Sequence, residues 1–502
     1  MITNVVQYLE RSAERFPNKI SFADENRQDT FSELLEKSRI IGSALLDIVL
    51  PGMPAVVYMQ KSVAMVETLM GVVYSGGFYV PMDTAMPEQR VKTIIEVLHA
   101  KVVITAKDSN LPESIAAQCE VLYYEDLVVF EADRKEELQV RQNGMISTDP
   151  IYTIFTSGST GVPKGVVVSQ QSVINFTEWY CTAFDFTDKE IFGNQTPFYF
   201  DASVKDIYAT ISRGATCYII PKKLFSMPAK LIEYLNQYKI NAIDWVPSVL
   251  CMIVNFNTFA KVKPEYLKKV LFLGEVMPTK QFNMWRREFP EIQFANIYGP
   301  TEATSDCTYY KIERELADTE PIPIGRACEN TQILILNEQN ELASVNEIGE
   351  ICVRGISLAL GYYNNFEKTD AAFVQNPLQK NYYEKIYRTG DLGKWNEHGE
   401  IIYVSRKDYQ IKHMGHRIEL GEIETAISSL QKVQRSCCLY NKKTQKIVAF
   451  YEGEIENGEI IEGIENMIPR YMIPNVFYKL DALPLNMNGK IDRKHLEEEF
   501  FD

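Results

Sequence analysis

Short apolar segments alternate with amphipathic segments through most of this chain, and this alternation constrains its fold more than any other feature. The predicted strands are residues 55–59, 101–105, 120–124, 242–246 and 270–273. The predicted helices between them include residues 62–74 and 230–238. When helices separate successive strands, the strands run parallel and the helices cover the faces of the sheet. The sequence therefore predicts an α/β fold of layered sheets and helices, with a largely parallel sheet.

Length and a change of pattern near residue 405 indicate how the chain divides. A chain of 502 residues is long enough for two or more domains. The polar residues 405–408 separate a β-rich stretch, residues 399–404, from a compact pattern of helices and strands over residues 421–468. We therefore predict a large N-terminal domain, residues 1–406, and a small α+β C-terminal domain, residues 407–502.

Composition argues against several classes of function. The net charge of −15 opposes binding to nucleic acid or to an anionic membrane. No apolar run approaches the roughly 20 residues of a membrane span, and residues 1–19 have the pattern of an amphipathic helix instead of a signal peptide. The nine cysteines form no C-x-x-C pair and no His/Cys cluster, which argues against zinc and against a disulfide framework. We expect a monomeric cytoplasmic enzyme with reduced thiols.

Residues 156–165, TSGSTGVPKG, directly follow the apolar run 151–155. Glycines let the backbone approach an anion closely, while hydroxyl groups and Lys164 add donors and positive charge. An ordinary Ser/Gly loop is the alternative, but Pro163 stiffens this segment more than a linker requires. The spacing differs from G-x-x-x-x-G-K-[ST], so the chain is not a P-loop NTPase. The segment predicts a phosphate-binding loop.

Four further motifs follow this loop along the chain. They are NIYGPTEAT at residues 296–304, YRTGDLG at 387–393, KHMGHRIELGEIE at 412–424 and NGKIDRK at 488–494. Together with the loop, and in this order, they resemble the AMP-forming adenylation superfamily, specifically the amino-acid-activating domains of nonribosomal peptide synthetases. The resemblance covers essentially the whole chain, including GFYVPMD at 77–83 and GEICVRG at 349–355.

The resemblance implies a reaction and its participants. A carboxylate and ATP give an acyl-adenylate and pyrophosphate, and a thiol then takes the acyl group. ATP and Mg²⁺ are the expected cofactors. Because the sequence continues to Asp502 without a carrier segment, the expected acceptor is a separate phosphopantetheinylated carrier protein. The small C-terminal domain is expected to rotate about a hinge at Asp408 between the two steps. Ser405 departs from the family, which usually has glycine there.

The resemblance also assigns the ATP site residue by residue. The loop residues expected to bind the β- and γ-phosphates are Thr156, Ser157, Gly158, Ser159, Thr160, Gly161 and Lys164. Glu302 matches the carboxylate that ligates Mg²⁺, and Thr301 matches a donor to the α-phosphate. Tyr298 is expected to line the adenine slot, Asp391 to accept hydrogen bonds from both ribose hydroxyls, and Arg406 to lie near the ribose or phosphates.

The amino-acid pocket is expected to begin at Asp201 in the motif FDAS, residues 200–203. In amino-acid-activating members an aspartate here pairs with the substrate α-ammonium group; the alternative role is a helix N-cap. The other matching pocket positions are Ala202, Lys205, Asp244, Leu271, Leu273, Ile297, Ser305 and Asp306, with Lys490 closing the set.

This pocket is similar to those of glutamate-activating domains, which predicts an acidic substrate. Lys205 would meet the acidic side chain, while Asp244 and Asp306 would orient the lysine. Leu273 stands where those domains have glycine, which shortens the cavity. Aspartate, a β-amino or methylated acidic amino acid, and glutamine therefore stay open. The alternative for Lys205 is a structural Asp–Lys pair on one helix face, worth a few tenths of a kcal/mol.

Three other functions compete with this prediction. Chain length and the sequence LFLGEVMP at residues 271–278 also resemble D-alanine–carrier protein ligases. A small apolar substrate would leave Lys205 and its two aspartates with only each other as partners. An acyl- or aryl-CoA ligase on the same fold would not need Asp201. A non-catalytic scaffold is disfavoured by the joint presence of Glu302, Asp391 and Lys490.

The resemblance predicts different effects for two lysine substitutions. Lys490 would bridge the substrate carboxylate and the α-phosphate as charge develops, so Lys490→Ala should abolish adenylate formation, measured by ATP–pyrophosphate exchange. Lys164→Ala should weaken ATP binding only moderately, because the loop orients the leaving pyrophosphate. The opposite order of effects would overturn the assignment.

Overall fold

The computed structural model describes residues 2–131, 134–157, 162–407, 410–485 and 491–501. Three sheets lie within the first 407 residues. The strands of the first sheet are β1 (Ile20–Ala23), β2 (Gln28–Thr30), β9 (Ile191–Asn194), β10 (Thr216–Ile219), β11 (Ala242–Trp245), β12 (Lys269–Leu273), β13 (Gln293–Tyr298), β14 (Thr308–Lys311) and β15 (Arg326–Ala327). Their order is β15-β14-β13-β12-β11-β9-β10-β1-β2. The central pairs, from β13 to β1, are parallel, and the outer strands are antiparallel.

The second sheet has seven strands, and the segment predicted to bind phosphate lies in it. Its strands are β3 (Pro54–Tyr58), β4 (Phe78–Met82), β5 (Val102–Thr105), β6 (Glu120–Tyr123), β7 (Pro150–Thr156), β8 (Lys164–Ser169) and β18 (Gly361–Tyr362). Their order is β18-β8-β7-β4-β3-β5-β6. β7 pairs parallel with β4 and antiparallel with β8. The predicted parallel α/β architecture is therefore confirmed for the centres of both large sheets.

The third sheet is antiparallel and was only partly predicted. Its strands are β16 (Thr331–Leu336), β17 (Gly349–Gly355), β19 (Phe373–Gln375), β20 (Lys385–Trp395) and β21 (Ile401–Arg406). The order is β16-β17-β20-β19, and β21 also pairs with β20. Only the β-rich residues 399–404 were recognised from the sequence. This sheet brings Asp391 of β20 and Arg406 of β21 into register with each other.

Helices cover and separate the sheets. They are α1 (Val6–Arg15), α2 (Phe31–Leu45), α3 (Val63–Tyr74), α4 (Glu88–Leu98), α5 (Glu113–Ala116), α6 (Tyr124–Leu127), α7 (Lys135–Asn143), α8 (Gln170–Ala183), α9 (Ser203–Arg213), α10 (Pro228–Gln237), α11 (Pro247–Asn255), α12 (Thr279–Glu288), α13 (Phe366–Ala372), α14 (Leu420–Ser428), α15 (Asn457–Ile464) and α16 (Arg493–Phe500). Single 3₁₀ turns occupy Lys222–Ser226, Thr258–Ala260, Thr301–Ala303 and Arg470–Met472. Across the described ranges, no helix combines the length and apolar character that crossing a membrane requires.

Helix α3 illustrates how the sequence determines local structure here. Ser62 begins the helix because its side chain accepts a hydrogen bond from the Met65 N–H. Nearly every residue of α3 is buried, since the helix is apolar on all sides and belongs to the largest hydrophobic core. Predicted residues 62–74 therefore match the helix with its cap included. Helix α15, within the pattern predicted over residues 421–468, begins at Asn457, where Glu456 and Glu459 form a capping box.

The segment from residue 410 onward has its own sheets and hydrophobic core. Strands β22 (Gln410–His413) and β23 (His416–Glu419) form a hairpin, and β24 (Val433–Asn441), β25 (Lys446–Gly453) and β26 (Val476–Lys479) form a separate sheet. Met414 and Gly415, which connect β22 to β23, both have positive φ angles, as the tightest hairpin turn requires. The core residues of this segment all follow residue 410. The exact boundary at residues 406–407 stays a prediction, and Asp408 lies outside the described residues.

Three of the contacts that join this segment to the N-terminal domain involve Arg90, Glu275 and Phe200. Arg90 of α4 and Glu422 of α14 form a buried ion pair of 2.6 Å. The Gly415 N–H donates a hydrogen bond of 2.8 Å to Glu275 Oε1. The His416 ring stacks on Tyr471 at a centroid distance of 3.6 Å and lies 4.8 Å from the ring of Phe200. The hairpin β22–β23 is therefore held against the N-terminal domain by charge, backbone and aromatic contacts.

His416 makes this contact sensitive to pH. Burial lowers the pKa of His416 to about 3, with a further contribution from His413, so the contact favours a neutral ring. The stabilisation is complete above the ordinary histidine pKa of about 6.5 and is lost as the pH falls below it. From pH 7 to pH 5, the free energy of unfolding should fall by about 2 kcal/mol more in the natural protein than in His416→Phe. Equal losses in denaturant titrations of the two proteins would contradict this.

Candidate active site

The segment predicted to bind phosphate is the connection of an antiparallel hairpin. Thr156 at the end of β7 pairs in register with Lys164 at the start of β8. Gly158, Ser159, Thr160 and Gly161 lie outside the described residues. Ser157 is buried, and its hydroxyl donates a hydrogen bond of 2.9 Å to the Arg417 carbonyl. Thr156 Oγ1 is buried without a partner among the described residues, which leaves a hydroxyl available to an anion.

Glu302 lies in the 3₁₀ turn after β13 and is completely buried. Its Oε2 lies 2.7 Å from Arg417 Nη1. Its Oε1 lies 3.3 Å from Lys164 Nζ and accepts a hydrogen bond of 2.8 Å from the Tyr362 hydroxyl. Burial alone would raise the pKa of Glu302, but Arg417 and Lys164 lower it well below its ordinary value. Glu302 is therefore an ionised carboxylate whose two oxygens both contact protein donors.

These contacts decide whether Glu302 fits the predicted Mg²⁺ ion. Mg²⁺ requires oxygen ligands at about 2.1 Å in near-octahedral geometry. Both oxygens of Glu302 already contact protein donors, and Arg417 and Lys164 bring positive charge to the position that a metal would take. Over the described ranges, no group of three or more His, Cys, Asp or Glu side chains could coordinate a metal ion. In this arrangement the residues do not fit Mg²⁺.

The residues predicted for the nucleoside converge on Asp391. Asp391 is buried, its Oδ2 accepts a hydrogen bond of 2.5 Å from the Tyr298 hydroxyl, and its Oδ1 accepts one of 2.8 Å from Arg406 Nη1. Strands β13, β20 and β21 thus bring together three residues that are far apart in the sequence. Because each carboxylate oxygen has two acceptor sites, Asp391 can accept further hydrogen bonds from a ligand.

Two cationic residues at this site were not predicted. Lys412 Nζ lies 5.1 Å from the centroid of the Tyr298 ring, and burial lowers its pKa while Asp391 opposes that effect. Arg417 contacts Glu302, as described above. Both belong to the hairpin β22–β23 and to the motif KHMGHRIELGEIE, which sequence analysis recognised as a whole without assigning roles to its cations. The presence of two cationic residues in this one motif was the sequence signal from which both could have been predicted as site residues.

A cavity of about 850 Å³ lies between the end of β7, Asp391 and the hairpin β22–β23. Of the residues with sequence-based site predictions, those lining it are Thr156, Ser157, Asp201, Ala202, Leu273, Thr301, Ser305, Asp391 and Arg406. Lys412 and Arg417 of the hairpin line it as well. The cavity therefore extends from the end of β7 to the nucleoside residues, and the hairpin forms part of its wall.

Asp201 places a carboxyl group at the wall of this cavity. It precedes α9, whose N-cap residue is Ala202 and which has no side-chain cap, so the N-cap alternative for Asp201 is not found. Burial raises the pKa of Asp201, while a hydrogen bond from Thr301 and the charge of Lys205 oppose the rise. Asp201 is thus enclosed beside Thr301, where a cationic group of a ligand would find a partner.

Lys205 forms an ion triple with the two predicted aspartates. Lys205 Nζ lies 3.0 Å from Asp244 Oδ2 and 3.1 Å from Asp306 Oδ2. The Tyr180 hydroxyl donates a hydrogen bond of 3.0 Å to Asp244. Burial raises the pKa of Asp306 to about 6, although Lys205 opposes the rise. The three predicted residues are therefore brought together, but as partners of one another.

The remaining predicted residues divide into two groups. Leu271 and Ile297 are buried in the main hydrophobic core. These two residues do not line the cavity, and the same is true of Lys205, Asp244 and Asp306. Lys490 and Asp408 lie outside the described residues, so their predicted roles stay predictions.

Comparisons with known proteins agree with the geometry. The sequence model of the family described as AMP-binding enzyme matches residues 9–363. The chain is 31% identical to tyrocidine synthase 1 of Brevibacillus parabrevis, over 99% of this chain but only 45% of that relative. It is also 31% identical to the D-alanine–D-alanyl carrier protein ligase of Lacticaseibacillus rhamnosus, over 99% of both chains.

A solved structure supports the fold. The artificially fused adenylation–PCP di-domain NpsA-ThdA of Klebsiella oxytoca superposes with a TM-score of 0.84 at 19% identity, over 96% of this chain and 95% of that chain. The predicted fold, a large N-terminal domain with a small C-terminal one, is confirmed by this likeness. The family model and the relatives confirm the resemblance predicted from the motifs, and the chain belongs to the AMP-binding enzyme family.

Proposed function

We propose that this protein activates an amino acid with ATP, forms an aminoacyl-adenylate and transfers the aminoacyl group to a thiol. One observation carries the proposal: a single cavity is lined by the end of the phosphate loop, by the buried acceptor Asp391 and by the half-buried carboxyl group of Asp201. This reaction requires three kinds of group at one site. They are hydrogen-bond donors to the phosphates, an acceptor for the ribose hydroxyls and a carboxyl group that pairs with the substrate ammonium.

The chemistry of the first step follows from these groups. A carboxylate oxygen of the amino acid attacks the α-phosphorus of ATP, the bond to the bridging oxygen breaks, and pyrophosphate leaves with the electron pair. Thr156, Ser157 and Lys164 would hold the leaving pyrophosphate, and Thr301 would donate to the α-phosphate. Asp391 would accept hydrogen bonds from the ribose. Tyr298 and Arg406 would orient the Asp391 carboxylate. Lys490 would neutralise the charge that develops between carboxylate and phosphate.

In the second step, a thiolate attacks the adenylate carbonyl and AMP leaves. We propose phosphopantetheine on a carrier protein as the thiol. One relative is named as a ligase for a D-alanyl carrier protein, and the solved structure combines adenylation and PCP domains. An acyl- or aryl-CoA ligase would use the same first step but has no use for an ammonium partner at Asp201.

An acidic amino acid is the first candidate substrate. The ammonium group of Lys205 has three N–H donors, and Asp244 and Asp306 account for two. The third could reach a substrate carboxylate. Because the pKa of Asp306 is already raised to about 6, a second anion beside it would raise it further, so Asp306 would bind a proton with the substrate. The charges of Lys205 and Asp244 would then cancel, and the side-chain carboxylate of the bound acid would lie beside a protonated Asp306.

A small uncharged amino acid is the second candidate, and a specific observation favours it. Among the described residues lining the cavity are Ala202, Leu273 and Ser305 but not Lys205, which is 1% exposed. If the ion triple stays closed during binding, only a short side chain fits beside Asp201. The relative that acts on D-alanine agrees with this candidate.

Substrate-dependent ATP–pyrophosphate exchange distinguishes the candidates. We expect the strongest exchange with glutamate or aspartate, and a KM for the acid that rises as the pH increases above 7, because binding takes up a proton at Asp306. Exchange confined to alanine or serine, with a KM independent of pH over this range, would favour the second candidate. No exchange with any amino acid would overturn the proposed function.

Substitutions in the ion triple provide an independent measurement. Lys205→Met alone should lower the free energy of unfolding by about 3–5 kcal/mol, because it leaves two buried aspartates unpaired. The double variant Lys205→Met/Asp306→Asn keeps the net charge and should recover part of that loss, because only Asp244 is then left as an unpaired buried carboxylate. This variant should also lose exchange with acidic amino acids. If it retains full exchange with the preferred substrate, Lys205 is structural and the acidic candidate is wrong.

A further inference from the structure

Two consecutive residues between the 3₁₀ turn 301–303 and strand β14 have positive φ angles. The φ angle is 56° at Thr304 and 71° at Ser305. Positive φ is uncommon outside glycine, and it is a genuine outlier for a β-branched residue such as threonine. The Asp306 N–H donates a hydrogen bond of 2.9 Å to the Thr304 carbonyl. This bond closes a γ-turn about Ser305, and a γ-turn with positive φ is rare and strained.

This γ-turn assigns two neighbouring residues to different parts of the candidate active site. Ser305 lines the cavity, whereas Asp306 Oδ2 lies 3.1 Å from Lys205 Nζ in the ion triple. The turn also packs closely on the segment before it, because a Cβ at Gly299 would approach Asp306 Cα to 2.4 Å. The strained backbone therefore lies between the cavity and the ion triple.

Thr304 is attached to the connection that follows β17. Its side chain is completely buried, and its hydroxyl donates a hydrogen bond of 2.7 Å to the Ser357 carbonyl. Two residues earlier, the Glu302 carbonyl accepts a hydrogen bond of 2.9 Å from the Ala359 N–H. Backbone strain persists only where the surrounding contacts determine it. These two hydrogen bonds, one of them from a side chain, hold the chain at the start of the γ-turn.

We infer that Thr304 is a positioning residue of the amino-acid pocket and that its hydrogen bond to the Ser357 carbonyl holds the γ-turn in place. The inference deepens the proposed function and rests on it for the identity of the ligand. Thr304 is not among the described residues that line the cavity, so it acts through Ser305 and Asp306. Without its hydrogen bond, the strained backbone would relax toward negative φ and move both of these side chains together.

Exchange kinetics distinguish positioning from a general structural role. Thr304→Val keeps the branched shape of the side chain and removes the donor. In ATP–pyrophosphate exchange with the preferred amino acid, its KM for the amino acid should rise on the order of tenfold, as expected when a buried hydrogen bond is lost. Its KM for ATP should stay within about twofold, because Asp391 and Arg406 belong to β20 and β21 of a different sheet.

Three further variants serve as controls. Thr304→Ser keeps the donor and should retain a KM for the amino acid close to that of the natural protein. Thr308→Val is the matched control, since Thr308 is equally buried but its hydroxyl has no partner in the described part of the chain; it should change neither KM. Thr304→Gly adopts positive φ without strain and serves if Thr304→Val fails to fold; it should raise the KM for the amino acid as well.

A double-mutant cycle tests the link to the ion triple without any substrate. Urea unfolding is followed by tryptophan fluorescence, because all four tryptophans precede residue 407. Thr304→Val should lower the unfolding midpoint by a smaller amount in an Asp306→Asn background than in the natural protein, since the contact with Lys205 is already weakened there. Equal shifts in the two backgrounds would overturn the inference.

The kinetic results can overturn the inference separately. It is wrong if Thr304→Val leaves the KM for the amino acid unchanged, if both KM values rise equally, or if Thr308→Val has the same effect. If the natural protein exchanges with no amino acid, the proposed function fails, while the urea cycle still decides whether Thr304 positions Asp306.

Discussion

The buried carboxylate of Glu302 is the interaction on which the arrangement of this molecule depends. Burying a charge is costly unless partners replace the lost water. Here the partners come from β8, β18 and β23, so one carboxylate ties the phosphate-binding hairpin and the edge of the seven-stranded sheet to the C-terminal segment. Removing Lys164 or Arg417 would leave the carboxylate with a single cationic partner. The same carboxylate therefore connects three elements that are far apart in the sequence.

The sequence predicted the parallel centres of the two large sheets because each strand there is short, apolar and followed by a helix. The antiparallel sheet from β16 to β21 largely escaped prediction. Only one short helix, α13, lies between its strands, and strands such as β20 extend over 11 residues with mixed polarity. The motif residues Asp391 and Arg406 were nevertheless found. A motif identifies individual residues directly. Alternation of polar and apolar residues identifies only helices and strands with a regular pattern of burial.

The side-chain contacts were the part that sequence could not supply. Asp201, Lys205, Asp244 and Asp306 were all named from the sequence, with the two other aspartates expected to orient the lysine; the structure adds that Lys205 contacts both Asp244 and Asp306 and does not line the cavity. Charge pairing between α9, β11 and the turn after β13 depends on tertiary geometry that no local pattern encodes. The same reason explains why Lys412 and Arg417 were overlooked: their significance lies in what faces them across the contact between segments.

Gly415 matters for packing as well as for the backbone angles of the hairpin turn. The residue lies against Val246, and a Cβ at this position would approach Val246 Cγ1 to 2.4 Å. Such a distance is far below van der Waals contact, so any side chain here would act as a wedge between the hairpin and the N-terminal sheet. The close fit of the hairpin turn against Val246 thus depends on the absence of one carbon atom at residue 415.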